Sequence, residues 1–161
     1  IITDDFFGII LADDLILSKP GCLKQLLEIH EKTQSSVLGV FSASENQVSN
    51  YGVISSKNID GIEKVDGIVE KPKPADAPSN LAVFGRYILS KDIFLNIEQT
   101  KPGLNNEIQL TDAIQDLISN QNVFALEFEG RRFDCGSKEG YISAIIDRAL
   151  SIDKYKSIIE K

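Results

Sequence analysis

The chain has 161 residues, 42% of them hydrophobic and 25% charged, with a formal net charge of −7. That length supports one domain with a real core, the composition is too apolar for a disordered chain, and the negative charge argues against a nucleic-acid partner. No apolar run approaches the ~20 residues of a membrane span, no signal peptide is recognisable, and two cysteines, Cys22 and Cys135, fit a reducing, cytoplasmic compartment better than a disulfide framework.

The first predicted element is FFGIIL, residues 6–11. Its continuous apolarity reads as a strand buried on both faces, as in the middle of a parallel sheet. The chain opens on Ile and contains no Met, so residues are expected to be missing upstream. Pro20 suits a first helical position, and Leu23, Leu26, Leu27 and His30 follow at helical spacing, which predicts a helix over 20–34. SSVLGVFSA, 35–43, reads as a strand, completing the strand–helix–strand unit of a parallel sheet. Strands over 50–55, 62–71 and 81–89 follow closely enough to be antiparallel additions. Residues 91–98 and 111–120 read as helices, the second with Thr111 or Asp112 as its N-cap. Residues 122–130 alternate as a strand, and a last helix starts after Ser137 with Tyr141, Ile145, Arg148 and Ile152 near one face. With no internal repeat, linker or low-complexity segment, the chain reads as one α/β domain, residues 1–161, built on a mixed, mostly parallel sheet.

Several groups can carry chemistry. Asp13 and Asp14 follow the first strand, where open α/β sheets bind ligands. A carboxylate there can hold Mg²⁺, which takes oxygen ligands and keeps waters and substrate phosphates. Neighbouring strand residues point to opposite faces, so one Asp would be the ligand and the other would cap nearby backbone; both can equally be solvated turn residues. Glu70 and Lys71 end a strand and should diverge toward different partners. Lys71 can meet a phosphate as a point charge and Glu70 can accept sugar hydroxyls, while Pro72 restrains Lys71 toward extended geometry. A surface ion pair is the plainer alternative. Gly52, after Tyr51, lets backbone approach a ligand, or marks a bulge. Asp134 precedes a glycine and a helix start, as a second metal carboxylate or as a local cap. Cys135 lacks an evident base and reads as inert. His30 reads as a core or boundary residue. There is no glycine-rich phosphate loop and no GxSxG elbow.

Taken in order, FGIILADDLI, YGVI, GIVEKPKPADAPSNLAVFGRYILS, NNEIQLTDAI and RRFDCGSKEGY resemble the successive blocks of the bacterial UTP–glucose-1-phosphate uridylyltransferases, from about residue 6 to 150. The resemblance implies the fold of the nucleotide-diphospho-sugar transferases, of Rossmann-like type. It implies Mg²⁺ as cofactor, and UTP, glucose 1-phosphate and UDP-glucose as partners. It implies that Asp13 binds Mg²⁺, that the Gly52 backbone meets the glucosyl unit, that Glu70 binds sugar hydroxyls and that Lys71 contacts the sugar phosphate. Asp134 would be a second metal-site acid. Ala12 replaces the proline of the usual LPDD, which removes no ligand. The family's N-terminal strand and glycine-rich loop have no counterpart here, so the chain resembles the C-terminal, sugar-side portion, expected to be a homo-oligomer when full length. The alternatives are another sugar-1-phosphate nucleotidyltransferase such as a thymidylyltransferase, an inactive sugar-nucleotide-binding or oligomerisation module, and a glycosyltransferase, whose D-x-D spacing is missing.

Overall fold

A computed structural model describes residues 3–103 and 106–159; Asn105, the first residue of the NNEIQLTDAI block, lies outside them. In chain order the elements are β1 (Phe6–Ile10), β2 (Asp14–Leu17), α1 (Cys22–Thr33), β3 (Ser36–Ser42), β4 (Gly52–Ile59), β5 (Ile62–Glu70), β6 (Leu81–Ser90), α2 (Ile93–Gln99), α3 (Leu110–Asn120), β7 (Val123–Glu127), β8 (Arg131–Asp134), α4 (Lys138–Leu150) and α5 (Asp153–Ile159).

The helices follow their apolar stripes. In α1 Cys22 and Leu26 are buried, and the helix ends where Gln34 turns left-handed and its N–H bonds the His30 carbonyl. Pro20, expected inside α1, lies two residues before it. α3 buries Ala113, Ile114 and Leu117. Its cap position is Gln109, with no side-chain cap bond, so neither Thr111 nor Asp112 caps it. Ser137 does cap α4, its hydroxyl accepting the Gly140 N–H at 3.0 Å. The expected single last helix is broken at Ser151–Ile152, where α5 begins a new turn.

A six-stranded sheet has the order β1-β6-β3-β7-β5-β4, with β4 also touching β6 through Val53 and Ala82. It is mixed, as expected, but not mostly parallel. Among the described residues only β3 and β7 pair in parallel; the other ladders are antiparallel. The cause is β6. The strands β1, β3 and β7 run the same way, as a strand–helix–strand unit requires, but β6 inserts between β1 and β3 in the opposite sense. It is also β6, not β1, that is buried through nearly its whole length. Among the described residues β1 pairs only with β6, and Ile10 is 59% exposed. The apolar run of β1 has another origin: its two faces meet helices, Phe6 against His30 of α1 and Phe7 stacked on Phe94 of α2.

Helix α1 covers one face of the sheet through Leu26, Val37, Phe84 and Ile88. Helices α2 and α3 cover the other through Leu38, Ile54, Leu89, Ile93, Ile114 and Leu117. Each such fully buried side chain contributes about 1.5–3 kcal/mol of transfer free energy. His30 sits at the edge of this packing, its Nδ1 2.8 Å from the Ser35 carbonyl oxygen, the boundary role expected of it. A second, two-stranded sheet pairs β2 with β8, placing Asp14 opposite Asp134. No helix among the described residues is long and apolar enough to cross a membrane.

Candidate active site

Three parts of the chain meet around one cavity of about 490 Å³. The exit of β1 brings Asp13 and Asp14, the open end of the β4–β5 hairpin brings Tyr51, Gly52, Glu70 and Lys71, and β8 brings Arg132 and Asp134. The start of α3 closes it with Gln109, Leu110 and Thr111. The sequence singled out Asp13, Gly52, Glu70, Lys71 and Asp134, and all five line this cavity. A separate cleft between Asp5, Gln34, Lys91 and Gln121 contains none of them.

The two ladders place the acids. The β4–β5 register sets Gly52 directly opposite Glu70. The β2–β8 register sets Asp14 opposite Asp134, and the Cys135 N–H donates to the Asp13 carbonyl at 2.7 Å. The two aspartates of the DD pair divide as expected, though Asp13 lies in the turn after β1 and only Asp14 is a strand residue. Asp14 is buried: one carboxylate oxygen accepts the Gly85 N–H at 2.8 Å and the other accepts Arg132 Nε at 2.5 Å. Asp13 is exposed. Its Oδ2 and Asp134 Oδ1 both lie within 3.3 Å of the point a Gly136 Cβ would occupy, a cradle that any larger residue there would fill. Two hard carboxylates around an open space suit a divalent cation that keeps waters and phosphates as its remaining ligands. Among the described residues no group of three or more His, Cys, Asp or Glu is placed to hold a metal by protein alone.

Glu70 and Lys71 do not diverge. Lys71 Nζ lies 3.6 Å from Glu70 Oε1. The expectation of an extended Lys71 fails because its N–H is taken by the Tyr51 carbonyl at 3.0 Å, and the backbone turns to φ 45° to reach it. That left-handed region is unfavourable for a residue with a side chain, by roughly 1 kcal/mol, and such strain concentrates at ligand sites. Gly52 is required by close approach: a Cβ there would meet Thr111 Cγ2 at 2.6 Å.

Arg132 and Tyr51 are among the cavity-wall residues to which sequence reasoning gave no role. Arg132 is nearly buried, its guanidinium 4.6 Å from the Phe41 ring centre and 4.9 Å from that of Tyr51, bonded to Asp14 and 3.7 Å from Asp134 Oδ2. Burial pulls its pKa down, but the Tyr51 and Asp14 hydrogen bonds more than offset that and it ends raised. Tyr51, noted only as the neighbour of Gly52, donates its hydroxyl to Asp134 Oδ2 at 2.8 Å. Burial lifts this phenol above its ordinary value, opposed by Arg132 and aided by Asp134, so it stays a donor at neutral pH. The alternation of Arg132 with Asp134 along a strand is the one signal that pointed to a shared face. Cys135 lies beside this wall, and no base among the described residues is hydrogen-bonded to its thiol.

A family model described as nucleotidyl transferase matches residues 1–149. A UTP–glucose-1-phosphate uridylyltransferase of Pseudomonas aeruginosa is 47% identical over 147 residues, covering 89% of this chain and 53% of that protein. A UTP–glucose-1-phosphate uridylyltransferase 2 of Streptococcus pyogenes is 43% identical, covering 93% of this chain and 52% of its own length. A UDP-glucose pyrophosphorylase solved in complex with UDP-glucose superposes with a TM-score of 0.90 at 44% identity, covering 94% of this chain and 59% of that one. The chain thus spans about half the length of the curated relatives it matches. On this likeness, and on the shared fold, the chain belongs to the nucleotidyl transferase family.

Proposed function

We propose that this chain provides the sugar-phosphate side of a uridylyltransferase that makes UDP-glucose and pyrophosphate from UTP and glucose 1-phosphate. The observation that carries the reading is the meeting of Glu70, Lys71, Gly52, Asp13 and Asp134 at one cavity. The names of its relatives favour uridylyl over thymidylyl transfer, and favour an enzyme over a binding remnant.

In the proposed reaction a phosphate oxygen of glucose 1-phosphate attacks the α-phosphorus of UTP. The bond from that phosphorus to the β-phosphate bridge breaks, and pyrophosphate carries the electron pair away. Such chemistry is mostly positioning and charge neutralisation. Lys71 neutralises and orients the attacking phosphate. Glu70 accepts sugar hydroxyls, and the Gly52 backbone, directly opposite Glu70, meets the glucosyl unit. Asp13, with Asp134 beside it, would hold Mg²⁺, which when bound supplies neutralisation of phosphate charge. No covalent intermediate on the chain is required. The reducing, cytoplasmic setting expected from the cysteines suits soluble nucleotide substrates.

Lys71→Ala tests the sugar-phosphate role. It is expected to weaken glucose 1-phosphate binding about 10-fold or more, the scale of one charge-assisted contact, with little change for UTP. Titration calorimetry with each ligand checks this; a larger loss for UTP than for glucose 1-phosphate would contradict the assignment.

A further inference from the structure

Glu70 is held more firmly than a strand-end acid needs. Its Oε1 faces Lys71 Nζ at 3.6 Å, and its Oε2 accepts the Thr111 hydroxyl at 2.9 Å, from a residue 41 positions further along the chain. An ammonium at that distance attracts the carboxylate without fixing its rotation, since it acts as a compact point charge and the terminal torsion of Glu is broad. A hydroxyl hydrogen bond is directional and does fix it. Thr111 is the second residue of α3, beyond the cap position Gln109; α3 has no side-chain cap bond, and the Thr111 hydroxyl goes to Glu70. The methyl group of the same residue lies against Gly52.

We propose that Thr111 is a positioning residue for sugar binding: it locks the Glu70 carboxylate so that the remaining lone pairs face the hydroxyls of a bound hexose phosphate. This rests on the reading that Glu70 accepts those hydroxyls. Thr111 itself touches no reacting atom. Helix α3, buried against the sheet through Ile114 and Leu117, thereby becomes the rigid mount for an acid that lies at a strand end.

The test compares UDP-glucose with UDP, each with Mg²⁺, by titration calorimetry on the 161-residue chain and its Glu70→Gln, Thr111→Val, Thr111→Ala and Thr111→Ser variants. The two hydroxyl-free variants are expected to weaken UDP-glucose about 10-fold while UDP changes less than about two-fold. Thr111→Ser, which keeps the hydroxyl, is expected to stay within about three-fold of the parent. Two hydroxyl-free variants are included so that a folding failure of either, seen by circular dichroism, leaves the other to decide. Parental affinity in the folded hydroxyl-free variants, or a serine variant as weak as they are, overturns the role of Thr111 while leaving Glu70 in place. If Glu70→Gln also binds like the parent, or if the parent shows no advantage of UDP-glucose over UDP, the reading of Glu70 itself is overturned and the proposal goes with it.

Discussion

With the family's nucleotide-side segment joined to the chain, so that the proposed reaction can be followed, Asp13→Asn is expected to lower turnover to UDP-glucose about 100-fold at saturating Mg²⁺, equivalent to roughly 3 kcal/mol of barrier. The substitution keeps size and the backbone contact, since the Cys135 N–H bonds the Asp13 carbonyl rather than its side chain. The carboxylate is exposed and takes no part in the buried packing. The fold should therefore be unchanged, and the loss should appear in metal handling. Mn²⁺ titration followed by paramagnetic resonance gives the second readout: affinity should fall in Asp13→Asn and, to a smaller extent, in Asp134→Asn, whose parent acid is already shared with Tyr51 and the Gly136 N–H. Turnover within a few-fold of the parent, with Mn²⁺ affinity intact, would remove Asp13 from the metal site.

Arg132→Ala is expected to have the largest effect on stability, a loss of about 3–5 kcal/mol. Side-chain exposure is 12% for Arg132 and 8% for Asp14. Removing the guanidinium leaves the Asp14 carboxylate buried with the Gly85 N–H as its one remaining hydrogen-bond donor among the described residues, and empties a space between Phe41, Tyr51 and Phe84. A domain of this size has only about 5–15 kcal/mol to lose, so the urea midpoint should fall by a large fraction. Arg132→Lys should recover part of that, because a lysine restores charge but not the planar fork that reaches Asp14 and Tyr51 together. A loss under about 1 kcal/mol for the alanine variant would mean that the pair contributes like an exposed surface bridge. Because Asp14 and Asp134 face each other across β2 and β8, the same substitution should also loosen the Asp13–Asp134 side of the cavity, where Mg²⁺ is proposed to bind.

How much of this was legible in the sequence differs from element to element. Helices α1, α3 and α4 announce themselves by a 3.6-residue stripe, and Ser137 by its place before α4. The long hairpin strands β4 and β5 were visible as β-rich runs. What escaped depends on pairing between distant segments. Strands β2 and β8 are four residues each, too short to show a period, and the Arg132–Asp14 contact that ties them spans 118 positions. That β1 pairs only with β6 among the described residues escaped because helices on both faces produce the same apolar run as neighbouring strands do. At the site, residue type alone left Asp13 and Asp14 undivided and allowed Glu70–Lys71 to be a surface ion pair and Asp134 a cap; the ordered resemblance to the uridylyltransferase blocks is what singled out Asp13, Glu70, Lys71 and Asp134. Thr111 and Tyr51 were not assigned roles: a threonine at a helix start looks like a cap, and a tyrosine before a glycine looks like packing. Their hydroxyls matter through partners 41 and 83 residues away, which only the fold brings near. The turn at Lys71 reversed an expectation for the same reason. A local rule for residues before proline gave way to one backbone hydrogen bond, donated by the Lys71 N–H to the Tyr51 carbonyl.

The central claim is that residues from the β1–β2 turn, β4, β5, β8 and α3 jointly bind one sugar nucleotide. Titrating ¹⁵N-labelled chain with UDP-glucose and Mg²⁺, and following backbone amides, tests it most directly. The largest shifts should fall on Gly52, Lys71, Thr111 and the segment from Asp134 to Gly136, with saturation at a common ligand concentration. Shifts concentrated instead around Lys91 and Gln121, or along the outer face of α4 and α5, would contradict it.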